Sequence, residues 1–359
     1  MATEIGVGML GYGFMGRAHA EAARAVETYE GMALRPRVVA VAGRDAAARD
    51  AMADRYGIER RVEDWRELLA DDVGLLDNLG PNALHAEPTI AGAQAGKHVL
   101  CEKPLGRDAA ESARIAEAVA ATGVVAMCAF NCRFVPAVRL AREMLEAGDL
   151  GEIHHARFAY LQSWGADADE SVWRFDGDTA GSGALGDLAS HAVDLARYLV
   201  GEPVTVSAGV ATFVPGRAVD DAVAAAVEFE GGALGTLEAT RFATGNANRL
   251  NFEINGARGA VRFDMERLNE LEIADQHGFR RIVVTEPGHP FAERHWPHGH
   301  IIGWGDTFAH ELAHMLEAIA GEHGVGPHGA TFEDGYRAAV VCDAILRSAR
   351  EGVRVPTAP

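Results

Sequence analysis

Lysine is almost missing from this chain of 359 residues: Lys97 and Lys103 are its two lysines among 33 basic residues. Cysteine is sparse as well. Cys101, Cys128, Cys132 and Cys342 form no C-x-x-C pair, which excludes the common zinc and dithiol motifs and predicts reduced thiols in a cytoplasmic protein. No apolar run reaches the ~20 residues of a membrane span. The first strand pattern begins so close to Met1 that no basic-then-apolar leader is expected. Repeats and low-complexity linkers are missing too. Positive charge is in deficit: 52 acidic residues against 33 basic ones leave a net charge of −19. Nucleic acid is therefore excluded as an expected partner, since phosphate binding needs a basic footprint. A carboxylate-rich, lysine-poor surface fits a high-salt cytoplasm, because charge speaks to solubility rather than fold.

What is present starts at the N-terminus. An apolar run, Ile5 to Leu10, reads as a strand, and an Ala-rich run, Ala18 to Val26, reads as a helix. Between them Gly11, Gly13 and Gly16 make G-x-G-x-x-G, with Phe14 and Met15 inside it. Gly11 allows the tight turn, Gly13 lets backbone approach a pyrophosphate, and Gly16 lets helix and strand pack closely. The N–H groups at the helix start then face phosphate. Strand-like and helix-like runs alternate up to Phe130, which predicts a doubly wound parallel sheet. Ligands of such sheets lie beyond the carboxyl ends of strands, where Gly80-Pro81-Asn82 and Glu102-Lys103-Pro104 fall. The second strand ends in Gly43-Arg44-Asp45. An acid at its end would bond the ribose of NAD, and Arg44 suits the 2′-phosphate of NADP; Asp45 comes late but within reach of the ribose.

From Asn131 the pattern changes. A helix (136–147) leads to a strand (154–161), a loop rich in Asp, Gly and Ser, and a helix from Asp187 to Leu199. Seven strand-like runs follow between Val204 and Val284, with Gly231-Gly232 and Asn255-Gly256 as turns, and two helices close the chain. The expected architecture is α/β: a Rossmann domain over 1–130, then an α/β domain over 131–359 with an open, mostly antiparallel sheet.

Asp187 and His191 stand four apart on one helix, so their side chains share a face. An imidazole titrating near neutrality suits a general base for a hydroxyl, and a carboxylate beside it can hold substrate or tune the ring. Their bland reading is an N-cap acid and a packed histidine. Lys103, at a strand end and fixed by a proline, could hydrogen-bond a reacting oxygen.

These motifs together resemble the glucose–fructose oxidoreductase/inositol dehydrogenase (Gfo/Idh/MocA-type) family. The resemblance spans the chain and rests on the glycine loop, Gly80-Pro81-Asn82 with His85, Glu102-Lys103-Pro104, and Gly183-Ala184-Leu185-Gly186-Asp187 through His191 and Asp194. Gly80 departs from it, because the family usually has Thr before Pro-Asn. The resemblance implies hydride transfer between NAD(P) and a secondary hydroxyl of a sugar or cyclitol, in a homodimer or homotetramer, with the active site in the cleft between the domains. It implies Lys103, Asp187 and His191 as the catalytic set. His191 would take the hydroxyl proton, Lys103 would orient the oxygen, and Asp187 would bind an adjacent hydroxyl.

The runs Tyr160 to Trp164 and Trp173-Arg174-Phe175, with Phe130-Asn131-x-Arg133 and Gly303-Trp304-Gly305, look like levoglucosan dehydrogenase-type members, which use NAD. Asn131, Arg133, Gln162, Trp164 and Trp296 are the further substrate candidates. Arg44, Pro81, Asn82, His85, Glu102 and Arg174 join the glycine loop as cofactor candidates. NAD and NADP both stay open, since the resemblance and the Gly43-Arg44 ending point in opposite directions. His289, His295, His298 and His300 crowd one loop without ligand spacing, so no metal is expected. His19 reads as a packed or capping residue, and Asp194 as support for the site's helix. Two other readings are redox-assisted glycoside cleavage through a transient 3-keto sugar, and a non-catalytic cofactor-binding sensor.

Overall fold

The computed structural model describes residues 2–166 and 172–358. Part of the Asp-, Gly- and Ser-rich loop expected before Gly186 lies outside the described residues. The chain divides into two compact units. One comprises 1–106, 110–134 and 303–336, and the other 107–109, 135–302 and 337–359. The closing segment 303–336, adjacent in sequence to the second unit's last strands, packs with the first unit.

The first unit alternates strand and helix: β1 (Thr3–Leu10), α1 (Phe14–Val26), β2 (Leu34–Ala42), α2 (Ala46–Tyr56), β3 (Arg60–Val62), β4 (Leu75–Asn78), α3 (Ala86–Gln94), β5 (His98–Glu102), α4 (Ala109–Ala120) and β6 (Ala126–Ala129). The strands are all parallel and run β3-β2-β1-β4-β5-β6. That is the doubly wound order, with its switch point between β1 and β4. Their apolar side chains are buried because helices can cover both faces of a parallel sheet. Leu10, Ala40, Ala42, Val62, Leu68 and Leu76 form one such cluster. Asp45 caps α2 by accepting the Ala48 N–H at 3.1 Å, and Gly57 ends it in the left-handed region. Trp65–Leu69 is a 3₁₀ turn.

The second unit holds α5 (Pro136–Glu146), β7 (Ile153–Leu161), α6 (Gly177–Ala180), α7 (Ser190–Leu199), β8 (Pro203–Ala211), β9 (Ala222–Phe229), β10 (Leu234–Thr240), β11 (Arg249–Gly256), β12 (Ala260–Asp264), β13 (Glu270–Asp275) and β14 (Gly278–Val283). Helices α8 (Trp304–Ile319) and α9 (Phe332–Glu351) follow, and β15 (Val355–Pro356) ends the chain. The nine-stranded sheet runs β14-β13-β12-β11-β7-β10-β9-β8-β15. It is antiparallel except where β7 meets β10 in parallel. Alternating burial along β9 and β10 marks one covered and one open face. Helix α7 packs on β7 and β10, and all ten of its residues are buried.

The helix expected from Asp187 to Leu199 is not uniform. Leu185–Ala189 winds as a π turn before α7 begins. The Ser190 hydroxyl donates to the Gly186 carbonyl at 2.7 Å, which helps free that turn from the α ladder. Such turns are frequent at functional sites. No helix among the described residues is long and apolar enough to cross a membrane.

Candidate active site

In the first unit three strand ends carry the expected motifs. Gly11 has φ 121°, and a Cβ there would stand 2.7 Å from the Leu79 carbonyl oxygen, so only glycine fits the turn. A Cβ on Gly13, by contrast, would meet nothing within 4 Å. Gly13 gives α1 no side-chain cap, and the first turn, with Phe14, Met15 and Gly16, carries no acid. Bare N–H groups, an open side and no competing carboxylate fit a pyrophosphate. Phe14 is exposed and stacks on Trp304 at 5.6 Å.

Gly43 stands where an acid would read the ribose. A Cβ there would collide with the Tyr12 ring, 1.8 Å away, so no side chain can occupy the position without moving Tyr12. Asp45 spends a carboxylate oxygen on its cap, and its own N–H donates to the Tyr12 hydroxyl at 3.1 Å. Arg44 is exposed between them.

The turns after β4 and β5 are braced from within. Asn78, fully buried, donates to the Leu84 carbonyl and the Thr89 hydroxyl, each at 3.0 Å, and accepts the Gly80 N–H at 3.3 Å. Gly80 faces Leu84: a Cβ would stand 3.1 Å from Leu84 Cβ, leaving little room for the threonine usual here. His85 spans the Pro104 and Gly80 carbonyls at 2.8 and 3.0 Å. Burial holds its imidazole below the ordinary value against the pull of those carbonyls. His85 and Asn82 are thus buried beneath the turns, while Pro81 is half-buried.

Glu102 is buried, and its carboxylate accepts the Lys103 N–H at 3.0 Å. Burial pushes it up, but contact with His19, then the charges of His19, Lys103 and His85, hold it below the usual carboxylate range. Asn131 and Arg133 lie in a buried 3₁₀ turn. Asn131 donates to the Thr307 hydroxyl at 3.0 Å, and Arg133 donates to the Gly329 carbonyl at 3.3 Å.

In the second unit Asp187 sits in the π turn and His191 in the first turn of α7. Asp187 Oδ2 accepts from Arg241 Nη2 at 2.9 Å, and Arg174 Nε stands 3.6 Å from Oδ1. Arg241 is fully buried and lies over the Trp164 ring at 4.8 Å. It also donates to the Gly183 carbonyl at 3.2 Å. Asp220 holds the approach to the π turn, accepting the Gly183 and Leu185 N–H groups at 2.7 Å each. Burial raises its carboxyl above the ordinary value despite those bonds.

A hydrogen-bonded group ends beside the histidine. Trp164 donates to Gln162, Gln162 and Tyr160 donate to the Asn248 side-chain oxygen at 2.7 and 2.8 Å, and the Tyr160 ring meets His191 edge-on at 5.7 Å. The structure therefore brings together Asp187, Arg174, Arg241 and Trp164, and links Trp164 through Gln162 and Asn248 to Tyr160, whose ring packs on His191. Sequence reasoning missed Arg241 and Asn248. A basic residue directly after the alternating run of β10 was a signal for Arg241; Asn248, in a polar loop, offered none.

Trp296 lies 74% exposed on the long loop after β14. On that loop His289 accepts the Glu286 N–H, His298 meets the Thr285 hydroxyl and His300 the Pro297 carbonyl, so these rings hold local turns. Among the described residues one group, His314, Glu317 and His323, brings metal-ligand-type atoms within 4.8 Å. There His314 Nε2 is held by the Val325 carbonyl at 2.8 Å, and the two rings stack at 4.3 Å. All four cysteines are buried and none forms a disulfide, and burial pushes the Cys101 thiol up to about 12.

Residues 5–130 match the family model described as an oxidoreductase family with an NAD-binding Rossmann fold. Residues 138–262 match the GFO/IDH/MocA C-terminal domain. The chain belongs to the GFO/IDH/MocA oxidoreductase family. Levoglucosan dehydrogenase of Pseudarthrobacter phenanthrenivorans is 42% identical over 380 aligned positions, covering 96% of each chain. Inositol 2-dehydrogenase of Rhizobium meliloti is 30% identical with 96% of each chain covered. A solved structure of levoglucosan dehydrogenase in complex with NADH and levoglucosan superposes with a TM-score of 0.94 at 40% identity, covering 99% of each chain. The first unit's sheet is thus the Rossmann fold of an NAD-binding family, and the open side at Gly13 and the uncapped start of α1 fit a dinucleotide.

Proposed function

We propose that this oxidoreductase is a cytoplasmic sugar or cyclitol dehydrogenase that oxidises a ring hydroxyl, with levoglucosan-type anhydrosugars as its substrate class. Likeness over nearly the whole chain to a levoglucosan dehydrogenase carries this reading, and the motif residues Lys103, Asp187 and His191 supply groups suited to it. Bound NAD(P) supplies the hydride acceptor. His191, buried against Tyr160, accepts the hydroxyl proton as the C–H electron pair leaves as hydride. Asp187, fixed by Arg241 and Arg174, receives hydrogen bonds from a neighbouring substrate hydroxyl. Lys103 donates to the reacting oxygen and stabilises the charge that develops there. Trp164 offers a flat apolar face of the kind sugar rings stack on. Asn131, Arg133 and Trp296 complete the substrate set. The protein works as a homodimer or homotetramer.

For the cofactor, Arg44 supports NADP. An acid is sterically barred at Gly43, Asp45 is committed to its helix cap, and Arg44 is left exposed for a 2′-phosphate. The NADH complex of the related levoglucosan dehydrogenase supports NAD as the second reading.

The test is nicotinamide reduction by the purified protein with levoglucosan, inositols and aldoses, each with NAD and NADP. Reduction with an anhydrosugar, falling about 10²–10⁴-fold in His191→Ala, is expected. Aglycone release without net NAD(P)H would favour redox-assisted glycoside cleavage. Silence with cofactor bound would overturn the dehydrogenase reading.

A further inference from the structure

We propose that His19 is a positioning residue for Lys103: lying between Asp77 and Glu102, it fixes the carboxylate that receives the Lys103 backbone N–H. The proposal deepens the reading of Lys103 as a catalytic group and rests on it.

The bridge is built from three segments of the first unit. His19 lies on α1, just past the glycine loop, Asp77 on β4 and Glu102 at the end of β5. His19 Nδ1 stands 3.2 and 3.0 Å from the two Asp77 oxygens, and Nε2 stands 3.4 Å from Glu102 Oε1. The three side chains are only 4%, 4% and 7% exposed. The other Glu102 oxygen, Oε2, accepts the Lys103 N–H at 3.0 Å. The Phe308 ring, from α8, packs against the imidazole at 5.4 Å.

An ionised carboxylate only accepts hydrogen bonds, so Nδ1 must carry a proton toward Asp77, and a second proton on Nε2 gives the ring the positive charge that Glu102, at ion-pair distance, favours. Asp77 and Glu102 are the charged groups that act on His19; His19, Lys103 and His85 act on Glu102. His19 and Lys103 together then balance the two buried acids. Neutral His19 would leave two buried carboxylates with half their compensation, an arrangement proteins avoid. Burial would lower the imidazole value, but the Asp77 charge and bond and those of Glu102 prevail and hold it well above the ordinary range. The same cation ties together the helix of the phosphate loop and the two strands that carry Gly80-Pro81-Asn82 and Glu102-Lys103-Pro104. A side chain that packed there for volume alone would not need two acids.

The test uses the full chain and three proteins: parent, His19→Gln and Lys103→Ala. The glutamine variant keeps a polar bridge and loses the charge. It should bind dinucleotide within about threefold of the parent by fluorescence titration. Its kcat should fall at least tenfold, with KM for the sugar little changed. The acid limb of its kcat profile should rise by at least one pH unit, because Glu102 facing no cation takes up a proton nearer neutrality. Independently of activity, the His19 ring of the parent should stay doubly protonated at pH 8 by ¹⁵N NMR. A singly protonated ring at pH 7 overturns the proposal, even if no variant folds. Parental kcat and pH profile in His19→Gln, beside an inactive Lys103→Ala, overturn it alone. Parental kcat in Lys103→Ala overturns the catalytic reading and this proposal with it.

Discussion

Arg241, fully buried at the end of β10, donates to Asp187 in the π turn before α7 at 2.9 Å. The acid proposed to bind substrate is therefore held from behind by a cation that cannot reach solvent. With Arg174 Nε 3.6 Å from its other oxygen, Asp187 has its orientation set before any substrate arrives.

Arg241→Met should remove that support. Stability should drop on the order of 3 kcal/mol, the low end for breaking a buried pair, since Asp187 keeps some solvent contact. Misplacing the carboxylate by about 1 Å should cost on the order of 10²-fold in kcat/KM. Arg241→Lys should recover stability better than rate, because an ammonium lacks the planar fork. Urea melts and steady-state kinetics on the two variants check both statements.

Arg44→Ala should weaken NADP and leave NAD nearly untouched. A lost charge-assisted bond to phosphate is worth about 1.5–3 kcal/mol, which is tenfold or more in kcat/KM for NADP. Equal loss with both dinucleotides would show that Arg44 does not read the 2′-phosphate.

How far the sequence could be read follows from what kind of interaction each feature rests on. The parallel sheet was legible because buried strands are continuous apolar runs and the glycine loop marks the first turn. The π turn at Leu185–Ala189 was not, because winding there depends on tertiary bonds from Asp220 and on the Ser190 hydroxyl. β3 is three residues long and too polar in sequence to stand out. His19 read as a packed helical residue because its acids come from β4 and β5, 58 and 83 positions away in the chain. Arg241 was visible as a basic residue closing a strand, but its partner Asp187 lies far away in the chain, so its role was not. Single motifs carried the local chemistry, and the partners that hold them came from distant strands.

The His19 bridge also predicts a pH dependence of stability. The folded imidazole value is raised above the ~6.5 of the unfolded chain. Its contribution is thus fully present below pH ~6.5 and lost as pH rises through the folded value, at about 1.4 kcal/mol per pH unit for the one proton. Glu102 acts oppositely: its folded value is depressed, so its contribution is present above the unfolded carboxylate range and lost as pH falls through the folded value. Urea midpoints of the parent should decline on the alkaline side, and His19→Gln should lack that slope.

The charge of −19 predicts salt dependence. Raising KCl from 0.1 to about 2 M shortens the screening length from about 10 Å to below 3 Å and should quiet the repulsion among surface carboxylates. The melting temperature should rise by several degrees over that range. A flat or falling response in a scanning melt would remove the high-salt reading.

Hydride transfer from a sugar carbon is the claim on which the others depend, and isotope transfer tests it most directly. Levoglucosan deuterated at its ring carbons would be incubated with the enzyme and the preferred dinucleotide, and the reduced nicotinamide examined by mass spectrometry. One deuterium per reduced nicotinamide, with formation abolished or nearly so in His191→Ala, is the predicted result. Reduced nicotinamide carrying no deuterium, or no reduction by a folded protein that binds the dinucleotide, would contradict the account.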